Sequence, residues 1–145
     1  LASFLFRHTQ KPIGLVMGIP TLREIFDEKY YNKLDGGILE AFGRLFKNDL
    51  KMYVYPLLEK ETGELVTVEN LTVSRRLRHL YAHLTANRHI VGIDRYTTDY
   101  LTIFSREILG KIRKGQTGWE KCLPQKVAQT IKKKQLFGYK PKPRQ

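Results

Sequence analysis

The chain has 145 residues, of which 41% are hydrophobic and 28% charged, a composition that excludes a disordered chain and allows one domain with a core. The formal net charge is +12: residues 111–145 hold 11 Lys or Arg against one Glu, and the first 110 residues hold 15 Lys or Arg against 13 Asp or Glu. Such a basic segment favours RNA, an acidic protein surface or nucleotide phosphates as partners; the alternative is a solvated surface that serves only solubility.

The first predicted elements are a buried strand and a helix. Residues 13–18 form a continuous apolar run without alternation, which is typical of a strand buried on both faces of a parallel sheet. Thr21 then precedes apolar residues at helical spacing, so we predict that it caps a helix over residues 21–26. A strand, a short turn and a helix are the first half of a βαβ unit.

The next predicted elements are a second helix, a second strand and a hairpin. Residues 38–47 carry one apolar stripe, and residues 48–49 stop the predicted helix. Residues 50–55 are rich in aromatic and β-branched side chains and predict a strand. After turn residues at 61–64, we expect residues 65–68 to return as a short antiparallel strand at the sheet edge.

A third helix and a third strand follow. Ser74 is the predicted cap of a helix whose apolar residues at 77, 80, 81 and 84 have the clearest helical spacing in the chain. Residues 90–93 predict a short buried strand. Strands separated by helices predict an α/β fold with a parallel sheet of about three strands, flanking helices and a small hairpin insertion.

Two helices are predicted in the basic last third. Ser105 starts the first, and Gly115 lies just past its end. Pro124 lies near the start of the second, and Gly138 ends it. We expect residues 140–145, a basic tail with two prolines, to be extended or disordered.

The single Cys122 cannot form an internal disulfide, which favours a reducing compartment, the cytoplasm or an organelle interior. No apolar run approaches the length of about 18 residues that a membrane helix needs, so we expect no membrane span. The first residue is Leu1 rather than Met, which is compatible with a fragment or a processed form.

Three stretches carry a family resemblance. Residues 16–31 contain a strand ending at Gly18, then a helix, then Lys-Tyr-Tyr; residues 37–55 are a helix leading into a strand. Residues 103–112 read Ile-Phe-Ser-Arg-Glu-Ile-Leu-Gly-Lys-Ile, and residues 123–139 follow with Leu-Pro and a Leu-Phe-Gly-Tyr ending. In this order and spacing they resemble the nicotinate and nicotinamide mononucleotide adenylyltransferases of the nucleotidylyltransferase superfamily.

The resemblance implies a Rossmann-like domain over residues 1–139, equivalent to the C-terminal part of such an enzyme. The activity implied is the joining of AMP from ATP to nicotinate or nicotinamide mononucleotide in NAD biosynthesis, with Mg²⁺ bound to ATP. Gly18 would allow close approach of the backbone to the ligand, and Thr21, Ser105 and Arg106 would lie at helix starts that bind nucleotide phosphates. The Ser105 hydroxyl would donate to phosphate, and Arg106 would pair with it bidentately.

The chain departs from the family pattern at the polar positions. The family's His-x-Gly-His motif is absent, so an upstream segment or a partner chain would have to supply it, and no catalytic residue is assigned. Pro20, Phe104 and Leu109 stand where the family has an acid, a hydroxyl and an arginine. His79 and His83 are four residues apart without a nearby acid or cysteine in the pattern, so we expect boundary residues rather than a metal site.

The departures leave a second function open. The chain would then be a non-catalytic scaffold or assembly subunit whose basic C-terminal region binds RNA or an acidic partner. The residues expected to contact that partner are Lys132, Lys133, Lys134, Phe137 and Tyr139, with Trp119 assigned to the core.

Overall fold

A computed structural model describes residues 4, 6–9 and 11–141 of the chain. These residues belong to two compact units, an N-terminal unit, Leu1–Tyr96, and a C-terminal unit, Thr97–Gln145. The domain predicted over residues 1–139 therefore includes parts of both units. In the predicted tail, residues 140–141 lie outside any helix or strand, and residues 142–145 are outside the described residues.

The N-terminal unit is a mixed α/β structure, as predicted. Its three parallel strands lie in the order β1, β2, β5, and β3 pairs with β4 in a separate antiparallel sheet. Two short 3₁₀ helices, Glu28–Tyr31 and Lys47–Asp49, complete the connections. The regular elements are β1 (Gly14–Gly18), α1 (Ile19–Ile25), α2 (Gly37–Leu45), β2 (Lys51–Tyr55), β3 (Leu57–Leu58), β4 (Leu65–Val66), α3 (Arg78–Ala86) and β5 (Ile90–Gly92).

The two faces of the parallel sheet differ in burial. Side chains alternate between the faces of a strand, so Met52 and Val54 lie on one face of β2 and Tyr53 lies on the other. Met52, Val54 and Ile90 are buried. Val16 is the register partner of Tyr53, and these side chains are 73% and 38% exposed. The sheet is therefore covered on one face.

An aromatic cluster holds the helices together over the covered face. The ring of Phe26, just after α1, lies 5.0 Å from the Phe42 ring of α2 and 5.2 Å from the Tyr81 ring of α3, both edge-on. Right-handed crossovers that step the same way across a sheet place their helices on the same face. The strand order β1, β2, β5 therefore explains why one face is covered and the other is left open.

Two predicted helix starts in the N-terminal unit are wrong. The first helix begins at Ile19 and its N-cap is Gly18, so Thr21 lies inside the helix. Pro20 is in the first turn, where its fixed φ and missing N–H suit a helix start, and the helix can begin directly after the strand. The third helix has Leu77 as its N-cap, because the Ser74 carbonyl accepts the Leu77 N–H at 2.9 Å in a preceding turn.

The second helix and the hairpin also differ from the prediction. Helix α2 ends at Leu45 rather than Lys47, and residues 47–49 form a 3₁₀ turn in which Asp49 has a φ of 54°. The hairpin is present, but its strands pair only with each other, so residues 65–68 do not extend the parallel sheet.

The regular elements of the C-terminal unit, among residues 97–141, are all helices. They are α4 (Ser105–Arg113), α5 (Gln125–Lys134) and the 3₁₀ helices Thr98–Tyr100, Trp119–Cys122 and Leu136–Gly138. Trp119 is 1% exposed and lies at the centre of a small core. The other buried members of that core are Ile108, Ile112, Ala128 and Ile131.

Three helix ends in the C-terminal unit are confirmed and one is wrong. Pro124 is the N-cap of α5, and Gly115, with a φ of 63°, lies just past α4. Ser105 is the first residue of α4, as predicted, and the N-cap is Phe104 in an extended conformation. Helix α5 ends at Lys134 rather than at Gly138, because Gln135 takes the left-handed conformation and turns the chain.

The buried Tyr81 hydroxyl donates to the Val68 carbonyl at 2.7 Å. Burial, and secondarily the charge of Glu69, raises the pKa of Tyr81 to about 12. Tyr81→Phe leaves a buried carbonyl without its donor, so we expect a loss of about 1–3 kcal/mol at pH 8. Because the pKa of Tyr81 is higher in the folded state, its contribution to stability is present below the unfolded pKa of about 10 and is lost as the pH rises toward the folded value. The free energy of unfolding of wild type should therefore fall above pH 10, and its advantage over Tyr81→Phe should shrink.

Urea unfolding of both proteins at pH 8 and at pH 11 measures this effect. Tyr100→Phe is the matched control. Because Tyr100 is exposed, its replacement should leave the free energy of unfolding unchanged at pH 8 and at pH 11. A difference between wild type and Tyr81→Phe that stays constant over this pH range would contradict the prediction.

Candidate functional site

A cavity of about 180 Å³ lies where β2 and β5 end at the carboxyl edge of the sheet. This edge is where open parallel sheets bind their ligands. The volume is below the 300–1,000 Å³ of sites for drug-sized ligands, so the cavity fits a ribose or a base rather than a whole nucleotide. Its lining residues are Val54, Pro56, Thr67, Val68, Glu69, Gly92, Ile93, Asp94 and Tyr96.

Two carboxylates give the cavity its chemical character. Glu69 lies against the strand end, since a Cβ on Gly92 would come within 3.1 Å of its Oε1 atom. Asp94 follows β5 by two residues and lines the same cavity. The Tyr96 ring lies 6.0 Å from the Tyr55 ring, edge-on, and closes one side. Carboxylates accept hydrogen bonds from hydroxyl and amine groups and repel phosphate, so this cavity suits the sugar or base of a nucleotide.

Gly18 is the last residue of β1, and Thr21 follows three residues later. A Cβ on Gly18 would meet only the Pro20 Cδ atom, at 3.4 Å, so there is space beside this residue. Thr21 is exposed and lies inside α1, so its hydroxyl is not at the helix start where the sequence placed it.

Ser105 and Arg106 are the first two residues of the nine-residue helix α4 and are both exposed. The Phe104 carbonyl accepts from the Glu107 N–H at 3.0 Å and from the Ile108 N–H at 3.1 Å, which closes the first turn below them. The Glu107 carboxylate is in the same turn and lowers the positive potential that a phosphate would meet. This pair belongs to the C-terminal unit, and Gly18 and Thr21 belong to the N-terminal unit.

Two of the five predicted partner-contact residues are engaged within the protein. Lys132 forms an ion pair with Glu120 at 2.7 Å, and its Nζ atom lies 5.5 Å from the centre of the Trp119 ring. The hydrogen bond to Lys132 holds the pKa of Glu120 below its usual range, and the same bond raises the pKa of Lys132. The Tyr139 ring packs edge-on against Trp119 at 5.9 Å. Lys132 and Tyr139 therefore stabilise the unit.

The other three predicted contact residues are on the surface. Lys133 and Lys134 are exposed in the last turn of α5, and Phe137 is 59% exposed. Phe137 has a φ of 57°, a left-handed conformation that is uncommon for a side chain of its size. Arg113 was missed by sequence reasoning: a Cβ on Gly138 would lie 3.5 Å from its Cγ atom, so its side chain runs beside this turn.

Metal ligands are not brought together in the described part of the chain. Among residues 4, 6–9 and 11–141, no three His, Cys, Asp or Glu side chains meet as a possible metal site. His79 Nε2 accepts a hydrogen bond from Arg78 Nε at 3.0 Å, and His83 Nδ1 lies 3.3 Å from the side-chain nitrogen of Asn87. Within the same residues, no helix has the length and apolar character that a membrane crossing requires.

The carboxyl-edge cavity was not predicted from the sequence. Its lining comes from three segments, 54–56, 67–69 and 92–96, which are far apart along the chain. The available signal was the position of Asp94 directly after a predicted strand, because residues that follow parallel strands meet at one edge of the sheet. Comparisons with protein-family models, with curated proteins and with solved structures found no match to this chain.

Proposed function

We propose that the chain is the C-terminal part of a Rossmann-like nucleotide-binding domain of the adenylyltransferase type. The observation that carries the proposal is the cavity at the carboxyl ends of parallel strands, with two carboxylates in its lining. Glu69 and Asp94 would accept hydrogen bonds from the ribose hydroxyls, as acidic residues do in dinucleotide-binding sheets. The reaction proposed is transfer of AMP from ATP to nicotinate or nicotinamide mononucleotide.

The open side of the sheet supports the idea of a half-domain. Parallel sheets are almost always covered on both faces, and here Val16 and Tyr53 are exposed on the second face. In a doubly wound sheet, further strands lie next to β1 on the side away from β2. The helices that connect those strands cover the second face. An upstream segment or a partner chain that brings a His-x-Gly-His motif would add both this cover and the missing catalytic group.

The C-terminal unit, taken by itself, offers a phosphate contact of its own. Ser105 and Arg106 would bind a phosphate at the start of α4, where helix N–H groups and the helix dipole favour an anion. Mg²⁺ would be bound mainly by the ATP phosphates and water, as is usual for this ion with nucleotides, because the described residues offer no set of three ligands.

The ribose contact is tested by calorimetric titration of the full chain with ATP–Mg²⁺ and with 2′,3′-dideoxy-ATP–Mg²⁺. A hydrogen bond to a charged group contributes about 1.5–3 kcal/mol, so the dideoxy nucleotide should bind wild type at least about tenfold more weakly. Glu69→Gln should weaken ATP binding and reduce the difference between the nucleotides. Glu64→Gln is the matched control, since Glu64 is exposed in the same unit and outside the cavity.

The phosphate contact is tested on its own variants. Ser105→Ala and Arg106→Ala should each weaken ATP–Mg²⁺ and leave the preference for ribose hydroxyls unchanged. ATP affinity that neither variant alters would contradict the phosphate assignment, and equal affinity for the two nucleotides would contradict the ribose assignment. A wild-type chain that does not bind ATP at millimolar concentration would remove the proposed function.

A further inference from the structure

We infer that the turn after α5 is a binding surface for single-stranded nucleic acid. The surface, called here the basic turn, consists of Arg113, Lys133, Lys134, Phe137 and Lys140. All five side chains are exposed. The inference is independent of nucleotide binding by the N-terminal unit.

The electrostatics of the basic turn favour a polyanion. Residues 111–145 contain one acidic residue, Glu120, and that carboxylate is already paired with Lys132 at 2.7 Å. The charges of Lys133 and Lys134 at the end of α5 and of Arg113 at the end of α4 are thus not offset by an acid within this stretch. Lysines in a last helical turn also interact favourably with the helix dipole. The experiment must therefore distinguish this structural role from binding of a polyanion.

The exposed aromatic ring of the basic turn favours a nucleic acid over an acidic protein. Gln135 and Phe137 both have left-handed backbone conformations, with φ of 50° and 57°, and Gly138 follows with a φ of 80°. Left-handed conformations are unfavourable for residues other than glycine and cluster at functional sites. Here they hold Phe137 59% exposed, three residues after Lys134 and next to Gly138, beside which the Arg113 side chain runs. Positive charge beside an exposed aromatic ring is the arrangement that binds phosphates and stacks bases.

Fluorescence anisotropy of the full chain with a labelled oligouridylate of about 12 nucleotides tests the inference. With about four phosphate contacts, a single strand loses close to fifty-fold in affinity between 50 and 200 mM salt. The double variant Lys133→Ala, Lys134→Ala should halve the slope of log affinity against log salt. Lys126→Ala is the matched control, an exposed lysine at the other end of α5 whose loss should have a smaller effect.

Phe137 separates base stacking from charge attraction. Phe137→Gly should weaken binding by about 5- to 100-fold without changing the salt slope, and Phe137→Trp should retain affinity. Glycine accepts the left-handed conformation, so the melting temperature of Phe137→Gly should equal or exceed that of wild type. This combination distinguishes a binding residue from a packing residue.

Three outcomes would overturn the inference. Unchanged affinity of Phe137→Gly would mean that no base stacks on this ring. Displacement of the oligonucleotide by polyglutamate at equal charge concentration would assign the surface to an acidic protein instead. A marked fall in the melting temperature of Phe137→Gly would assign the ring to packing.

Discussion

Trp119→Ala should remove most of the stability of the C-terminal unit. Trp119 is 1% exposed at the centre of a small core whose other buried members, among the described residues, are Ile108, Ile112, Ala128 and Ile131. Replacing a buried tryptophan by alanine costs about 3–5 kcal/mol, and whole domains are stable by only about 5–15 kcal/mol. We therefore expect amide hydrogens of α4 and α5 to exchange with solvent much faster in the variant, as measured by mass spectrometry of peptides from residues 105–134.

Val127→Ala is the control for this experiment. Val127 is on α5 and exposed, so its truncation should change the free energy of unfolding by no more than about 0.5 kcal/mol. Protection of α4 and α5 amides that survives in Trp119→Ala would show that the core in this unit is not organised around the indole. Loss of Tyr139 packing on the indole should also alter tyrosine fluorescence in the variant.

Phe42→Ala should destabilise the N-terminal unit by about 3–5 kcal/mol. The Phe42 ring is buried and packs edge-on against three aromatic rings, those of Phe26 at 5.0 Å, Phe46 at 5.9 Å and Tyr31 at 6.2 Å. The cluster connects the helices over the covered face of the sheet, so a cavity at its centre loosens several elements together. Urea unfolding followed by far-ultraviolet circular dichroism measures the effect.

Leu39→Ala on the same helix is the matched control. Leu39 is 65% exposed, so its removal creates no cavity, and alanine has a higher helix propensity. We expect a change of less than about 0.5 kcal/mol. Similar losses for Phe42→Ala and Leu39→Ala would contradict the packing described here and would point to a general effect on helix α2.

Sequence reasoning found the elements but misplaced several of their ends. The strand at residues 13–18 was predicted from its unbroken apolar run, and the third helix from the helical spacing of its apolar residues from Leu77 to Leu84. The expected burial of that strand on both faces is wrong, since Val16 is 73% exposed. Helix caps were assigned to Thr21 and Ser74 because hydroxyl side chains often cap helices, but the caps are Gly18 and Leu77. None of helices α1 to α5 has an N-cap side chain that makes the capping hydrogen bond.

The candidate sites also combine features that the local sequence shows with features that depend on the fold. The local sequence shows the charges of Lys133 and Lys134 and the ring of Phe137. The ion pair of Lys132 depends on Glu120, twelve residues away, and on the fold that brings the two together. The end of α5 was assigned to Gly138, but the helix ends at Lys134 because Gln135 already takes the left-handed conformation. Such positions are fixed by packing around the turn, which a local pattern does not contain.

The open face of the parallel sheet bears on how the protein behaves in solution. Val16 and Tyr53 expose apolar surface beside β1, which has no neighbouring strand on its outer side among the described residues. A net charge of +12 makes copies of the chain repel one another at low ionic strength. At about 1 M salt the Debye length is only about 3 Å, and the colloidal barrier disappears. The chain would then self-associate through its exposed strand edge, unless a partner covers the open face.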